Sequence, residues 1–127
     1  MNYQVLTYQG IKITLEDDFD LKSFIEATLN NNEINSVAFG KVSSLKNNIR
    51  FIYPVYAEGE ERPGEKLTIF TNGSNEALIA YAENYSSGNV TDQFNDRTKP
   101  FILIGDTGIH RNEYSLVMAT PETPAAE

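Results

Sequence analysis

Val37-Ala38-Phe39-Gly40-Lys41-Val42 and, six residues further on, Ile49-Arg50-Phe51-Ile52-Tyr53-Pro54-Val55-Tyr56 decide the fold class. Both runs are rich in β-branched and aromatic residues, and Ser43-Ser44-Leu45-Lys46-Asn47-Asn48 between them suits a loop joining antiparallel strands. They form the strongest strand pair that the sequence offers. Pro54 has no amide hydrogen for a ladder, so the end of the second run is expected at a sheet edge or a bulge.

Upstream, residues 3–15 alternate as Val5, Thr7, Gln9 and then Ile11, Ile13, Leu15, broken at Gln9-Gly10, which reads as a hairpin of two short strands. Leu21, Phe24, Ile25, Thr28 and Leu29 share one helical face, with Asp18 or Asp20 placed to cap it and Asn30-Asn31-Asn32 placed to stop it. Downstream, residues 57–66 lack an apolar period and read as an exposed, mobile loop. Residues 67–71 read as a strand. A second helix is expected after an Asn72-Gly73-Ser74 cap, with the stripe Ala77, Leu78, Tyr81, Ala82 and Tyr85, ending at Gly88. Residues 89–100 are polar and read as a connection. Two further strands, at 101–104 and 114–119, flank a second connection at 105–112.

About seven strands linked mostly by short turns, with two helices, predict an α+β domain with a small curved antiparallel or mixed sheet, or a half-open β-barrel with a helix near its mouth. The 127 residues, about 40% of them apolar, match one domain, read here as residues 1–120 with a loose tail at 121–127. No apolar run approaches the roughly 18 residues needed to cross a bilayer, and the N-terminus lacks a signal-peptide pattern, so the cytoplasm is the expected location and no membrane partner is expected. The chain has no cysteine, which removes disulfides and thiolate chemistry.

With 18 acidic against 10 basic side chains the net charge is −8, a field that repels polyanions at long range. The distribution is uneven. Acids crowd at Glu16, Asp17, Asp18 and Asp20 and again at Glu58, Glu60, Glu61 and Glu65, whereas residues 34–57 contain none. That acid-free window holds Lys41, Lys46 and Arg50 among Phe39, Phe51, Tyr53 and Tyr56, with Arg97, Lys99 and Arg111 as later additions. Rings that stack on splayed bases and cations that hold phosphates are how single-stranded RNA is commonly bound, so Lys41, Lys46, Arg50, Tyr53, Tyr56, Arg97, Lys99 and Arg111 are the candidate RNA-binding residues. The competing reading makes these aromatics core, because alternate strand residues point to opposite faces.

Other motifs carry less. Asp106-Thr107-Gly108 is similar to the aspartic-protease triplet, but fewer than 20 residues follow it where a long sheet would be needed, and Gly105-Asp106-Thr107-Gly108 matches a Gly-x-x-Gly loop without basic residues; a turn fits both better. His110 is the sole histidine and is read as an exposed loop residue, since no second ligand or base of its kind exists. The acidic groups lack the spacing of a calcium loop. No catalytic residue, metal or cofactor is therefore assigned.

The order of elements, with Val37-Ala38-Phe39-Gly40, Phe51-Ile52-Tyr53-Pro54-Val55-Tyr56, Phe101-Ile102-Leu103-Ile104-Gly105 and the closing stretch 114–121, resembles the small PrgU-type proteins of enterococci and their conjugative plasmids over nearly the whole chain. The resemblance implies a PUA-like barrel, a fold associated with RNA binding, and a regulatory role that limits production of cell-surface conjugation proteins. The expectation is a non-enzymatic cytoplasmic regulator that binds RNA. The alternative is a protein-binding module or inhibitor acting through the acidic surface at residues 16–20 and 58–65.

Overall fold

The computed structural model describes residues 1–72 and 77–120. A five-stranded antiparallel sheet forms the middle of the molecule, in the order β2-β1-β5-β9-β8. Its strands are β1 (Asn2–Thr7), β2 (Lys12–Thr14), β5 (Ile49–Val55), β8 (Phe101–Ile104) and β9 (Thr107–His110). A second antiparallel sheet, β10-β6-β7, is built from β6 (Glu65–Thr71), β7 (Ala77–Ala82) and β10 (Tyr114–Ala119). The hairpin of β3 (Ser36–Phe39) and β4 (Val42–Leu45) stands apart from both. The α+β class holds, but the described residues carry ten strands rather than about seven, and the central sheet stays open, with β2 and β8 as its edges, instead of closing into a barrel.

Two apolar clusters, one on each side of the central sheet, explain the layering. Val5, Ile49, Ile52 and Phe101 face Leu21, Ile25 and Leu29 of the first helix and Val37 and Phe39 of the β3–β4 hairpin. Phe51, Ile102, Ile104 and Ile109 face Leu67, Ile69, Ala80 and Ala82 of the second sheet, together with Val90. Alternation along β8 sends Phe101 to one cluster and Ile102 to the other, as a strand buried on both faces requires. Ile49 and Ile52 share a face despite their odd spacing because the β1–β5 register slips at this point: Leu6 pairs with Phe51 but Thr7 with Ile49, which leaves Arg50 as the extra residue of a bulge.

The first helix follows its sequence signals. The Asp20 carboxylate accepts a hydrogen bond from the Ser23 amide at 3.2 Å, and α1 (Leu21–Phe24) runs on as a π-helical turn over Ile25–Leu29, closed by the Asn30 amide donating to the Ile25 carbonyl at 2.8 Å. Gly108 lies beneath it. A Cβ at Gly108 would stand 2.9 Å from Ile25 Cδ1, so the missing side chain lets helix and sheet approach.

Five expectations about individual segments are corrected. The anticipated partner runs 37–42 and 49–56 do not pair: β3 folds back on β4 through a Gly40-Lys41 turn, and β5 pairs with β1 and β9. The expected loop at 43–48 is therefore half strand. The stripe 77–85 is not a helix but β7, paired with β6 from Glu65↔Ala82 to Phe70↔Ala77; the same residues that share a helical face also alternate with period two, and hairpin pairing decides between them. Its proposed cap at Gly73-Ser74 lies outside the described residues, as does the tail at 121–127. The real second helix, α2 (Ser87–Asn95), falls in the stretch read as a connection, and β9 lies inside the second expected connection.

Helix α2 has little intrinsic helical preference and is held by its ends and one face. Ser86 Oγ accepts from the Asn89 amide at 3.2 Å, and Val90 and Phe94, four apart, turn toward the core. The Arg111 guanidinium donates to the carbonyls of Phe94 (2.6 Å), Lys99 (2.9 Å) and Asp96 (3.2 Å), which satisfies the C-terminal end. Gln93 also grips the edge strand β8: its Nε2 donates to the Leu103 carbonyl at 2.8 Å and its Oε1 accepts from the Leu103 amide at 2.9 Å. Asn30 does the same at Phe101, with distances of 3.1 and 2.9 Å. Two carboxamides thus occupy backbone groups that would otherwise offer a pairing edge.

Candidate nucleic-acid interface

Strand β9 pairs with β5 only at Phe51 and Ile52, so the last residues of β5 leave the central sheet on one side, and Pro54 sits where no partner needs its amide. The gap opens a groove of about 450 Å³ between the end of β5 and the β6–β7 hairpin, lined by Tyr53, Tyr56, Tyr81, Arg62, Lys66 and Ile79, with Pro54 and Val55. Lys66 and Tyr81 are register partners on β6 and β7, and alternation puts both on the outer face of their sheet beside Ile79.

Tyr56 is fixed by Asp106, a buried carboxylate in the β8–β9 turn. The Tyr56 hydroxyl donates to Asp106 Oδ2 at 2.6 Å, while Oδ1 accepts from the Tyr81 amide at 2.9 Å and from the Thr107 hydroxyl at 3.2 Å. One carboxylate therefore ties the end of β5, the middle of β7 and the turn together. Gly105 brings that turn in: its φ is +58°, and a Cβ there would press into the Tyr81 carbonyl. The Tyr56 and Tyr81 rings meet edge to face at 6.0 Å, and the Arg62 guanidinium lies 4.8 Å from the Tyr56 ring centre.

Electrostatically the groove differs from the rest of this acidic chain, for among the described residues no carboxylate side chain lines it. Arg62 donates to the Ala57 carbonyl at 3.4 Å and to the Glu60 carbonyl, which holds it over Tyr56, and the Lys66 side chain is exposed. Glu60 is turned toward the Ala57 amide (2.8 Å) and the N-terminal ammonium (3.3 Å); the amide hydrogen bond is the main cause holding its carboxyl below the usual range. Burial pushes the Tyr53 phenol up, and burial followed by the Asp106 hydrogen bond pushes Tyr56 up further, so both stay protonated donors at neutral pH.

The eight residues selected from sequence divide sharply in place. Tyr53 and Tyr56 line the groove. Lys41 is exposed in the β3–β4 turn, in a different layer. Lys46 is buried, its Nζ donating to the Asn31 carbonyl at 2.9 Å. Arg50 pairs with Glu113 at 3.2 Å and lies 4.8 Å over the Phe51 ring. Arg111 closes α2, beside half-buried Lys99, and Arg97 is exposed just beyond that helix. The groove's cations, Arg62 and Lys66, and its third ring, Tyr81, were missed. His110 corrects a further expectation: it is buried on β9, edge-on to Phe101 at 5.1 Å, and burial chiefly lowers its pKa.

Comparison with protein-family models, with curated proteins and with solved structures returned no match. Among the described residues no helix is long and apolar enough to cross a membrane.

Proposed function

We propose that this protein is a non-enzymatic cytoplasmic regulator that binds a short stretch of single-stranded RNA in the groove between β5 and the β6–β7 hairpin. The observation that carries the reading is the meeting of three tyrosines and two cations in a groove that no carboxylate lines among the described residues, on a chain of net charge −8. Tyr53, Tyr56 and Tyr81 offer stacking surface to a base, and Arg62 and Lys66 take the flanking phosphates. Sequence-tolerant stacking with only two phosphate contacts gives modest affinity, suited to a regulator that must release its target. Membership of the PrgU-type family, with its role in limiting conjugation proteins, belongs to the same proposal and rests on the resemblance in sequence layout, although the open central sheet departs from the barrel that the resemblance implies.

Fluorescence anisotropy with labelled oligoribonucleotides across a salt series tests it. Two phosphate contacts on a single strand predict a log–log salt slope of about −1.4. The double variant R62S/K66S is expected to weaken binding at least tenfold, while K46M, which alters a buried internal contact, leaves it unchanged. Absence of saturable binding at low salt, or equal binding by R62S/K66S, would overturn the proposal.

A further inference from the structure

On the other side of the central sheet, in the layer of the first helix and the β3–β4 hairpin, lies a second recess of about 280 Å³. Its walls are apolar and aromatic: Leu15, Phe19, Phe24 and Phe39, with Glu16 and Asp18 at its rim. The rings form a continuous run, Tyr3 to Phe19 at 5.5 Å, Phe19 to Phe24 at 5.2 Å and Phe24 to Phe39 at 5.7 Å. Both rim carboxylates are exposed, and neither pairs with a cation among the described residues, although Asp20 and Asp17 nearby are engaged, one capping α1 and the other reached by the Asn2 amide.

We propose that this recess binds an alkylammonium group. Two like charges at the mouth of an apolar recess repel each other, and a cation seated between them relieves that repulsion, while phenyl rings attract the cation through their quadrupoles and pack against its methyl or methylene groups. Aromatic walls with an acidic rim are the pattern that selects organic ammonium over both inorganic cations, which prefer oxygen ligands, and neutral apolar molecules, which ignore the rim. The size, just under the roughly 300 Å³ at which small-molecule sites begin, admits one head group or one lysine side chain and not a nucleotide. The site shares no lining residue with the RNA groove, so it stands or falls independently of that reading.

The test is an NMR titration of the full chain, labelled with nitrogen-15, with tetramethylammonium chloride. Sodium chloride at equal ionic strength and 3,3-dimethylbutanol, a neutral molecule of the same shape, serve as controls. Saturable shifts at the amides of Leu15, Phe19, Phe24, Phe39 and Gly40 are expected with the ammonium alone. E16Q/D18N, at two exposed positions, should weaken binding at least tenfold, and F24L, which keeps apolar bulk but removes a ring, about threefold. A pentalysine peptide distinguishes the sources: binding much tighter than tetramethylammonium assigns the site to a basic protein segment, and equal binding assigns it to a free amine, both within the proposal. Shifts no larger than with sodium chloride, equal shifts with the alcohol, or undiminished binding by E16Q/D18N would overturn it.

Discussion

Removing the Asp106 carboxylate should loosen the site and the fold together, by an amount that the hydrogen bonds set. Asp106 is buried and accepts from the Tyr56 hydroxyl (2.6 Å), the Tyr81 amide (2.9 Å) and the Thr107 hydroxyl (3.2 Å). Hydrogen bonds to a charged group contribute about 1.5 to 3 kcal/mol each, and the short Tyr56 bond belongs in that range despite a half-exposed ring. The Thr107 bond, longer and local, contributes less. Asp106→Ala also strands the Tyr81 amide, so the loss is about 4 kcal/mol, a large fraction of the ~5–15 kcal/mol that holds a domain together. Asp106→Asn keeps an acceptor for the Tyr81 amide but loses the charge and puts an NH2 donor where Oδ2 accepted from Tyr56, so that the Tyr56 hydroxyl must turn to accept, at about 1 to 2 kcal/mol. Tyr56→Phe alone costs a similar amount. The decisive quantity is the coupling between Tyr56→Phe and Asp106→Ala in a double-mutant cycle, expected at about 1.5 to 2 kcal/mol and read from urea unfolding by circular dichroism, since the chain has no tryptophan. Additive losses, with coupling below about 0.5 kcal/mol, would refute the claim that this bond holds Tyr56 in the groove.

Further perturbations read other parts of the structure. His110 has a folded-state pKa below its ordinary 6.5, with burial and Arg111 lowering it against the pull of Glu113. The neutral form is thus favoured in the folded chain: stability is full above about pH 6.5 and falls as the pH drops toward the folded value, by up to about 1.4 kcal/mol per unit, and His110→Gln should flatten the urea midpoint between pH 5.5 and 7.5. Gln93→Ala leaves the Leu103 amide and carbonyl unpaired at a sheet edge, so we expect a loss of about 2 kcal/mol and, by light scattering, a new tendency to associate. Gly105→Ala should lower stability by more than about 3 kcal/mol, because a left-handed residue meets a backbone carbonyl, whereas Gly108→Ala meets only a movable Ile25 methyl and should cost about 1 to 2 kcal/mol; thermal melts separate the two.

Those glycines and amides also show what could be read before the fold was known. The first hairpin, the Asp20-capped helix and its stop at Asn30 were legible because their causes are local: an alternation, a cap, a run of asparagines. Residues 77–82 were not, since Ala77, Leu78, Tyr81 and Ala82 satisfy a helical stripe while Leu78, Ala80 and Ala82 satisfy an inward strand face. Only pairing with β6 breaks the tie, and pairing is not a local property. Helix α2 fails the opposite way: its sequence has two inward apolar residues, and what makes it helical arrives from Arg111 and from the edge of β8.

The same distinction explains why the groove was half seen. Composition marks where cations lie in the chain, but a cation's role depends on what lies opposite it in space. Lys46 and Arg111 look in sequence like Lys66 and Arg62, yet the first two are turned inward onto carbonyls of other segments, whereas Lys66 and Arg62 border tyrosines at the surface, Arg62 held there by the carbonyls of its own loop. The acid-free window at 34–57 was therefore a poor guide to local potential. A better one is the acid-rich loop at 57–66, where Arg62 lies over Tyr56 while Glu60, tied to the Ala57 amide and the N-terminal ammonium, remains close enough to act electrostatically on both. It follows that Glu60→Ala should make the groove more positive and tighten RNA binding by about two- to threefold at low salt, whereas placing an acid at Ile79, within the lining, should cut RNA affinity more than tenfold by meeting the phosphates directly.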